Sequence, residues 1–350
     1  YKTGDIKLKF GNWVFPVSPD PITDKRIINE AIEEIVLCDK VGFEVAWLSE
    51  HHFDGSTAYV DPMVFAGSVA RETKNIKIGF AVLEMALHHP VRVAAQIALL
   101  DHLTDGRVIL GTGKGSAFNE YEYTGFGVSM DEAANSLAEA EQIIFEAWKG
   151  GPVDFKGKYW NLSFPSLRPL PIQKPAPPLL RACLSENSII EMAKSHRPIL
   201  IAAQDNESIK HRLDIYKETL NSSGAPKEKV ECLLNQVWVS KNLAISNDAT
   251  PDIETVRERY FIEQHHFREA RNKYNSSPEQ SSPKSDIPGE SDDFGSEFVF
   301  GTSGEVVSQI RFLEEIGVRN LMMKLNFADL GIEHVRKSLD VFSREVMPHF

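Results

Sequence analysis

Apolar positions along the chain fall into two alternating patterns, short continuous runs and stripes at helical spacing. The first run is "KLKFGNWVF" (7–15), and the segment "DKRIINEAIEEIVLCDKVG" (24–42) follows with Ile28, Ala31, Ile32 and Ile35 at helical spacing before Gly42. The pattern repeats as strand 44–49, helix 61–73 with Pro62 in its first turn, strand 76–83, a helix from Pro90 to about Leu103, and strand 107–112. Helix 130–149 is expected to open on a capping box formed by Ser129 and Glu132. After it, "PVDFKGKYWNLSF" (152–164) predicts a hairpin excursion, and "RPLPIQKPAPP" (168–178) an extended Pro-rich connector. Alternation resumes with strand 179–184, helix 186–195, strand 198–203, helix 206–222, strand 231–240 and helix 252–272. Helix 304–316, strand 319–325 and helix 332–346 close the chain.

Eight Val/Ile/Leu-rich strands, most followed by a helix, read as the buried parallel kind. They predict an α/β fold of the (β/α)8 TIM-barrel class, with one domain spanning residues 1–350. A doubly wound open sheet ranks second, because no dinucleotide fingerprint accompanies the strands. Residues 275–297 stand apart: they hold six acidic residues, one Lys and no aliphatic residue but Ile287. Such a composition does not order itself by apolar burial, which leaves a lid or a mobile insertion before helix 304–316 as the readings.

Composition narrows the partners. With 42% hydrophobic and 25% charged residues among 350, the chain has ordinary globular proportions. The formal net charge of −12 and the lack of a basic tract argue against nucleic acid. The longest apolar runs fall short of the ~20 residues a membrane helix needs. Cys38, Cys183 and Cys232 are widely spaced and form no C-x-x-C pair, so buried thiols in a reducing, cytoplasmic setting are expected.

In a barrel of this class the chemistry gathers at the carboxyl ends of the strands. Strand 2 ends in "EHHF" (Glu50, His51, His52, Phe53), strand 4 in "GTGKG" (111–115), and strand 5 runs into "SENS" (185–188). Adjacent strand residues point to opposite faces, so His51 and His52 do not form a two-His metal motif, and no metal is expected. One inward imidazole suits general acid–base work, with Glu50 beside it. "GTGKG" fails the G-x-G-x-x-G fingerprint because position 116 is Ser116. What remains is a close backbone approach with Lys114 as a point charge. Ser185 and Ser188 open helix 186–195, where a plain cap and a phosphate site would use the same atoms. Trp13, Phe15, Trp47, Phe80 and Leu83 are candidates for an apolar cavity wall.

Taken together, "GFEVAWLSEHHF", "HHPVRVAAQIALLDHLTDGRVILGTGKG" and "VFGTSGEVVSQIRFLEEIGVRNLMM…SREVMPHF" resemble the bacterial luciferase-like flavin monooxygenases, from about residue 6 to 350. The resemblance implies a monooxygenase that uses reduced FMN (FMNH2) and O2, through a flavin hydroperoxide, to oxidise a small aldehyde, alkane or terpene-like substrate. It implies a place at the flavin-side active centre for His51, beside which Glu50 is the second catalytic candidate. It implies a phosphate site at Lys114, Ser185 and Ser188, with Gly113 next to it as a cofactor-binding candidate. It also implies a non-proline cis peptide under the flavin ring at Ala81–Val82, a separate NAD(P)H:flavin reductase, and a homodimer. Residues 275–297 fall where the luciferase catalytic chain has a mobile lid. The chain departs from that luciferase at Gly113 and Lys114, in place of Cys and Arg, and at Leu184, in place of Glu. Relatives that use a deazaflavin for hydride transfer, and non-catalytic flavin-binding subunits, are the alternatives on the same fold.

Overall fold

The computed structural model describes residues 7–18, 20–116, 118–247, 253–276 and 295–350. Eight parallel strands close a barrel: β1 (Lys9–Val14), β2 (Val45–Leu48), β3 (Lys77–Phe80), β4 (Val108–Gly113), β5 (Leu179–Ala182), β6 (Ile199–Ile201), β7 (Trp238–Ile245) and β8 (Asn320–Lys324). Each pairs with the next in sequence, and β8 returns to pair with β1 through Lys9 and Asn320. The expected (β/α)8 architecture is therefore the observed one.

Alternation along each strand separates two apolar layers. Outward residues such as Phe10, Ala46, Leu48, Ile78 and Leu110 join the large core shared with the surrounding helices. Inward residues Val45, Trp47, Ile109, Leu180, Leu200, Trp238 and Met322 fill the barrel. Trp47 is fully buried there, and its bulk dictates two neighbouring glycines. A Cβ on Gly79 would stand 2.5 Å from the Trp47 ring, and one on Gly11 would stand 2.9 Å from both Trp47 and Trp238. Gly79→Ala is expected to overpack this layer and destabilise the protein by ~1–3 kcal/mol, read as a lower denaturant midpoint.

Helices cover the outside. Asp24–Val41 buries Ile27, Ala31, Glu34, Ile35 and Cys38, with Ile28 and Ile32 only partly buried beside them. It stops where Gly42 takes φ +91 and donates its N–H to the Cys38 carbonyl. Pro62–Glu72 starts on Asp61, whose carboxylate accepts from Met63 N and Val64 N. The hairpin excursion is present as antiparallel strands Val153–Lys156 and Asn161–Phe164.

Several expectations need correction. The apolar run at 231–240 is divided: Lys227–Leu234 is a helix burying Val230, Leu233 and Leu234, and the strand starts only at Trp238. That i, i+3, i+4 spacing is helical, and it overrides strand propensity. Strand 76–83 is interrupted after Phe80 and resumes as Leu83–Glu84. Ser129 caps helix Met130–Lys149 without the expected side-chain hydrogen bond. The last helix is α-helical to Val341 and widens to a π-turn over Phe342–Val346. Helix Glu120–Gly125 and strand Phe298–Gly301, which pairs with the outer end of β7, were not expected. Cys38 and Cys183 are buried as expected, whereas Cys232 is exposed. The insertion expected at 275–297 falls largely on residues 277–294, which lie outside the described residues. Among the described residues, no helix is long and apolar enough to cross a membrane.

Candidate active site

The candidate catalytic and cofactor-binding residues read from the sequence meet at the carboxyl end of the barrel. Glu50, His51, Ala81, Val82, Gly113, Lys114, Ser185 and Ser188 line one cavity of about 470 Å3. A second cavity of about 300 Å3 adjoins it, and the two share His51, Ala81, Val82, Ala182, Leu184 and Ala202 as walls.

The peptide Ala81–Val82 is cis, as the resemblance implies. β4 passes so close beneath it that a Cβ on Gly111 would lie 1.9 Å from the Phe80 carbonyl oxygen, and one on Gly113 2.5 Å from Val82. The glycines of "GTGKG" are thus needed for backbone approach, not for a nucleotide fingerprint. Of the candidate wall residues, Trp13 and Phe15 face the second cavity. Trp47 belongs to the barrel filling, and Phe80 and Leu83 to the outer core.

His51 follows β2 and sits between two rings, with centroids 5.3 Å from Phe15 and 5.3 Å from Phe267. Its Nδ1 lies 3.2 Å from Glu122 Oε1, so the Nε2 edge is left toward the cavities. Burial disfavours its charged form, but the hydrogen bond and charge of Glu122, with Glu84 and Asp54 behind, outweigh that and lift the imidazole to about 9. Glu122 is fully buried and also accepts from His52 N at 2.9 Å and from Asn119 Nδ2 at 3.1 Å.

Glu50 has a different character. Its Oε1 accepts from His52 Nε2 at 2.8 Å and His88 Nε2 at 2.7 Å, and its Oε2 from Glu84 N at 2.7 Å. Burial opposes its charge, yet these two histidines hold the carboxyl at about 2. It therefore stays ionised throughout the neutral range, which suits a carboxylate that fixes the turn after β3.

Glu84 was not visible as a candidate in the sequence. It is buried, its Oε2 makes no hydrogen bond, and burial together with the charge of Glu122 pushes its carboxyl well above the usual range. Ligand atoms of His51, Glu84 and Glu122 all lie within 4.8 Å of one another, close enough to surround a cation. Glu122, however, already accepts three donors, so the cluster reads as a place where a proton is held between two carboxyls beside an imidazole. No sequence motif could have paired these residues, since Glu122 sits on the unexpected helix Glu120–Gly125.

The far end of the larger cavity suits an anion. Ser185 caps helix Glu186–Lys194, and Ser185 and Ser188 exchange capping hydrogen bonds of 3.3 Å at an exposed helix start. The two backbone N–H groups held at 3.3 Å and the Ser185 hydroxyl are available to a phosphate oxygen, whereas the Ser188 hydroxyl also donates to the Ser185 carbonyl at 2.6 Å. Arg181 also lines the cavity but is tied to Glu141 and Glu191, the latter at 2.7 Å. Lys114 is exposed and makes no ion pair among the described residues, so it is the cation left for a phosphate. The middle of the cavity has small walls, Ala81, Gly113, Ala182 and Ala202, with Leu184 beside them 61% exposed.

Comparison with known proteins gives the family and the fold. The sequence matches the family described as luciferase-like monooxygenase over residues 8–320. It is 38% identical over 141 residues, 40% of this chain and 41% of the relative, to the uncharacterized protein y4wF of Sinorhizobium fredii. It is 29% identical over 169 residues to the oxygenase component of the flavin-dependent trigonelline monooxygenase of Acinetobacter baylyi, covering 48% of this chain and 47% of that one. The match to the alkanal monooxygenase beta chain of Aliivibrio fischeri is 27% over 254 residues, covering 72% and 76%. The chain thus spans about half the length, or less, of the first relatives it matches. In three dimensions it resembles the monooxygenase RslO1 of Streptomyces bottropensis, with TM-score 0.81 and 20% identity over 98% and 99% of the two chains. The FMN complex of the oxygenating constituent of 3,6-diketocamphane monooxygenase of Pseudomonas putida gives TM-score 0.74 and 20% identity over 98% of each chain. An F420-dependent secondary alcohol dehydrogenase gives TM-score 0.76 and 19% identity over 98% and 99%. At such identities these structures speak for the fold.

Proposed function

The chain belongs to the luciferase-like monooxygenase family, and from that premise we propose that it is an FMN-dependent monooxygenase acting on a small organic substrate. Bound reduced FMN would supply two electrons and activate O2, so that one oxygen atom enters the substrate and the other leaves as water. The observation that carries the reading is the pair of adjoining cavities, which share the His51 edge and the Ala81–Val82 peptide as a common wall.

In this reading Lys114, Ser185 and Ser188 hold the phosphate, and Ala81, Val82, Ala182 and Ala202 bed the ring. His51 Nε2 gives or takes a proton at the boundary of the two cavities, while Glu122 orients the ring through Nδ1. Glu50 keeps its charge and fixes the turn that carries Glu84. Apolar walls at Phe15, Phe267 and Leu200 exclude water from the substrate side. The oxygenase-component relative supports a separate NAD(P)H:flavin reductase as the source of reduced flavin. A homodimer is part of the same proposal.

The test is a titration with FMN and reduced FMN, followed by oxygen-dependent product formation with a reductase supplied. A lack of reduced-flavin binding would sink the proposal. The similarity to the F420-dependent dehydrogenase favours one second reading, deazaflavin-dependent hydride transfer. Turnover with that cofactor in the absence of O2 would establish it in place of the first. Lys114→Ala is expected to weaken FMN binding by ~1–3 kcal/mol, the range of a charged hydrogen bond. Riboflavin has no phosphate, so its affinity should not change in the same titration.

A further inference from the structure

We propose that the smaller cavity takes an aromatic carboxylate, and that Arg271 is the group that binds its carboxylate. The proposal rests on the flavin reading for its orientation, because the shared wall is where substrate and flavin would meet.

The walls set the body of the ligand. Trp13, Phe15, Phe267 and Phe327 face a space of about 300 Å3, which favours a planar apolar molecule of one or two rings. Two cations also line this space, and they are in different situations. Lys324 is spent: its Nζ pairs with Glu263 and lies 4.8 Å from the Phe15 ring and 5.0 Å from the Phe327 ring. Arg271 donates Nε to Asn119 Oδ1 at 2.9 Å and packs over Phe118 and Phe267 at 5.7 and 5.9 Å. Among the described residues, its two terminal nitrogens make no hydrogen bond and no ion pair.

The acidic groups of the cavity do not answer that charge. Glu263 accepts from Lys324 and from Ala328 N at 3.2 Å, and Glu297 accepts from the Tyr260 hydroxyl at 2.9 Å. The Glu122 charge reaches Arg271 only across Asn119, so this half-buried guanidinium, with both terminal nitrogens unclaimed, lacks a direct ion-pair partner to offset its desolvation. Its planar fork matches a carboxylate through two parallel hydrogen bonds. Arg271 and His51 lie against the same ring, Phe267, so an acid anchored at Arg271 would run along that ring toward the shared wall. Asn119 joins the two ends, because it receives from Arg271 and donates to the Glu122 that orients His51.

The experiment titrates the purified protein with benzoate and with benzamide, following tryptophan fluorescence, since Trp13 lines the cavity. Benzoate should bind saturably and benzamide at least ten-fold more weakly. Arg271→Gln should lose the preference, and Arg271→Lys, which keeps charge without the fork, should fall between. Equal affinity of the native protein for the two probes, no saturable benzoate binding, or unchanged benzoate affinity in Arg271→Gln would each overturn the proposal. If Arg271→Gln does not fold by circular dichroism, the native comparison and Arg271→Lys decide. FMN affinity is measured on the same preparations without either probe. Benzoate selectivity without FMN binding would overturn the flavin reading and leave the anion site standing, and FMN binding without selectivity would do the reverse.

Discussion

Replacing His51 by alanine should lower turnover by about 10²–10⁴-fold, the usual contribution of a general acid–base group, while FMN affinity changes little. The expectation follows from where the imidazole sits. It borders both cavities, so its loss removes the one titratable nitrogen among the residues that line both, where the proposed flavin and substrate would meet. The residues proposed to bind the phosphate, Lys114, Ser185 and Ser188, line the larger cavity but not the smaller one, just after β4 and at the start of the helix after β5. Turnover is read as product formed with reductase and O2 present, and affinity as quenching of flavin fluorescence. A mutant with weakened FMN binding and native turnover would show that His51 holds the flavin and does not move protons. The ring also packs edge-on to Phe15 and Phe267, so unfolding should be followed in parallel to separate lost packing from lost chemistry.

Much of this arrangement is legible in the chain because short-range rules decide it. Strand–helix alternation specifies the barrel, and the barrel then sends "EHHF", "GTGKG" and "SENS" to one end. The split expected between His51 and His52 from strand alternation does not apply, because β2 already ends at Leu48. Glu50 and His51 both line the larger cavity, and their environments differ because His52 and His88 hold Glu50 while Glu122 holds His51. The resemblance located Ala81–Val82, which no local pattern marks. Glu84, Glu122, Asn119 and Arg271 were not legible, for a physical reason. Each acts through a contact with a residue far along the chain, as in His51 to Glu122 or Arg271 to Asn119. Their neighbourhood forms only when helix Glu120–Gly125 docks on helix Ile253–Tyr274, where Asn275 Nδ2 donates to the Phe118 carbonyl and Tyr121 N to Asn275 Oδ1. The 231–240 segment failed for a related reason, since its apolar residues satisfy a helix first and a strand afterwards.

Glu122→Gln should move the ionisation of His51 downward from about 9 by ~1–3 units, the effect of removing an adjacent opposite charge. The side chain keeps its shape and an amide oxygen can still receive Nδ1–H and His52 N–H, while its NH2 faces the donor Asn119 Nδ2, so the charge is lost together with that one hydrogen bond. The sign for stability follows from the same shift. The folded-state value lies above the ordinary ~6.5 of an exposed imidazole. Protonation of His51 therefore favours the fold fully below that value, and the contribution is lost as pH rises through about 9. Native protein should exceed Glu122→Gln in stability by more at pH 6 than at pH 10. Glu84 complicates the outcome in a useful direction. Burial and then the Glu122 charge keep its carboxyl above the usual range, so removing Glu122 lets Glu84 ionise more readily and take over as the partner of His51. The single variant should thus recover part of the shift, and Glu84→Gln combined with Glu122→Gln should lower His51 further than either alone. NMR titration of the imidazole reads all three. An unmoved His51 in the double variant would mean that the carboxyl pair does not set its protonation, and the proton-holding role assigned to Glu84 and Glu122 would fall with it.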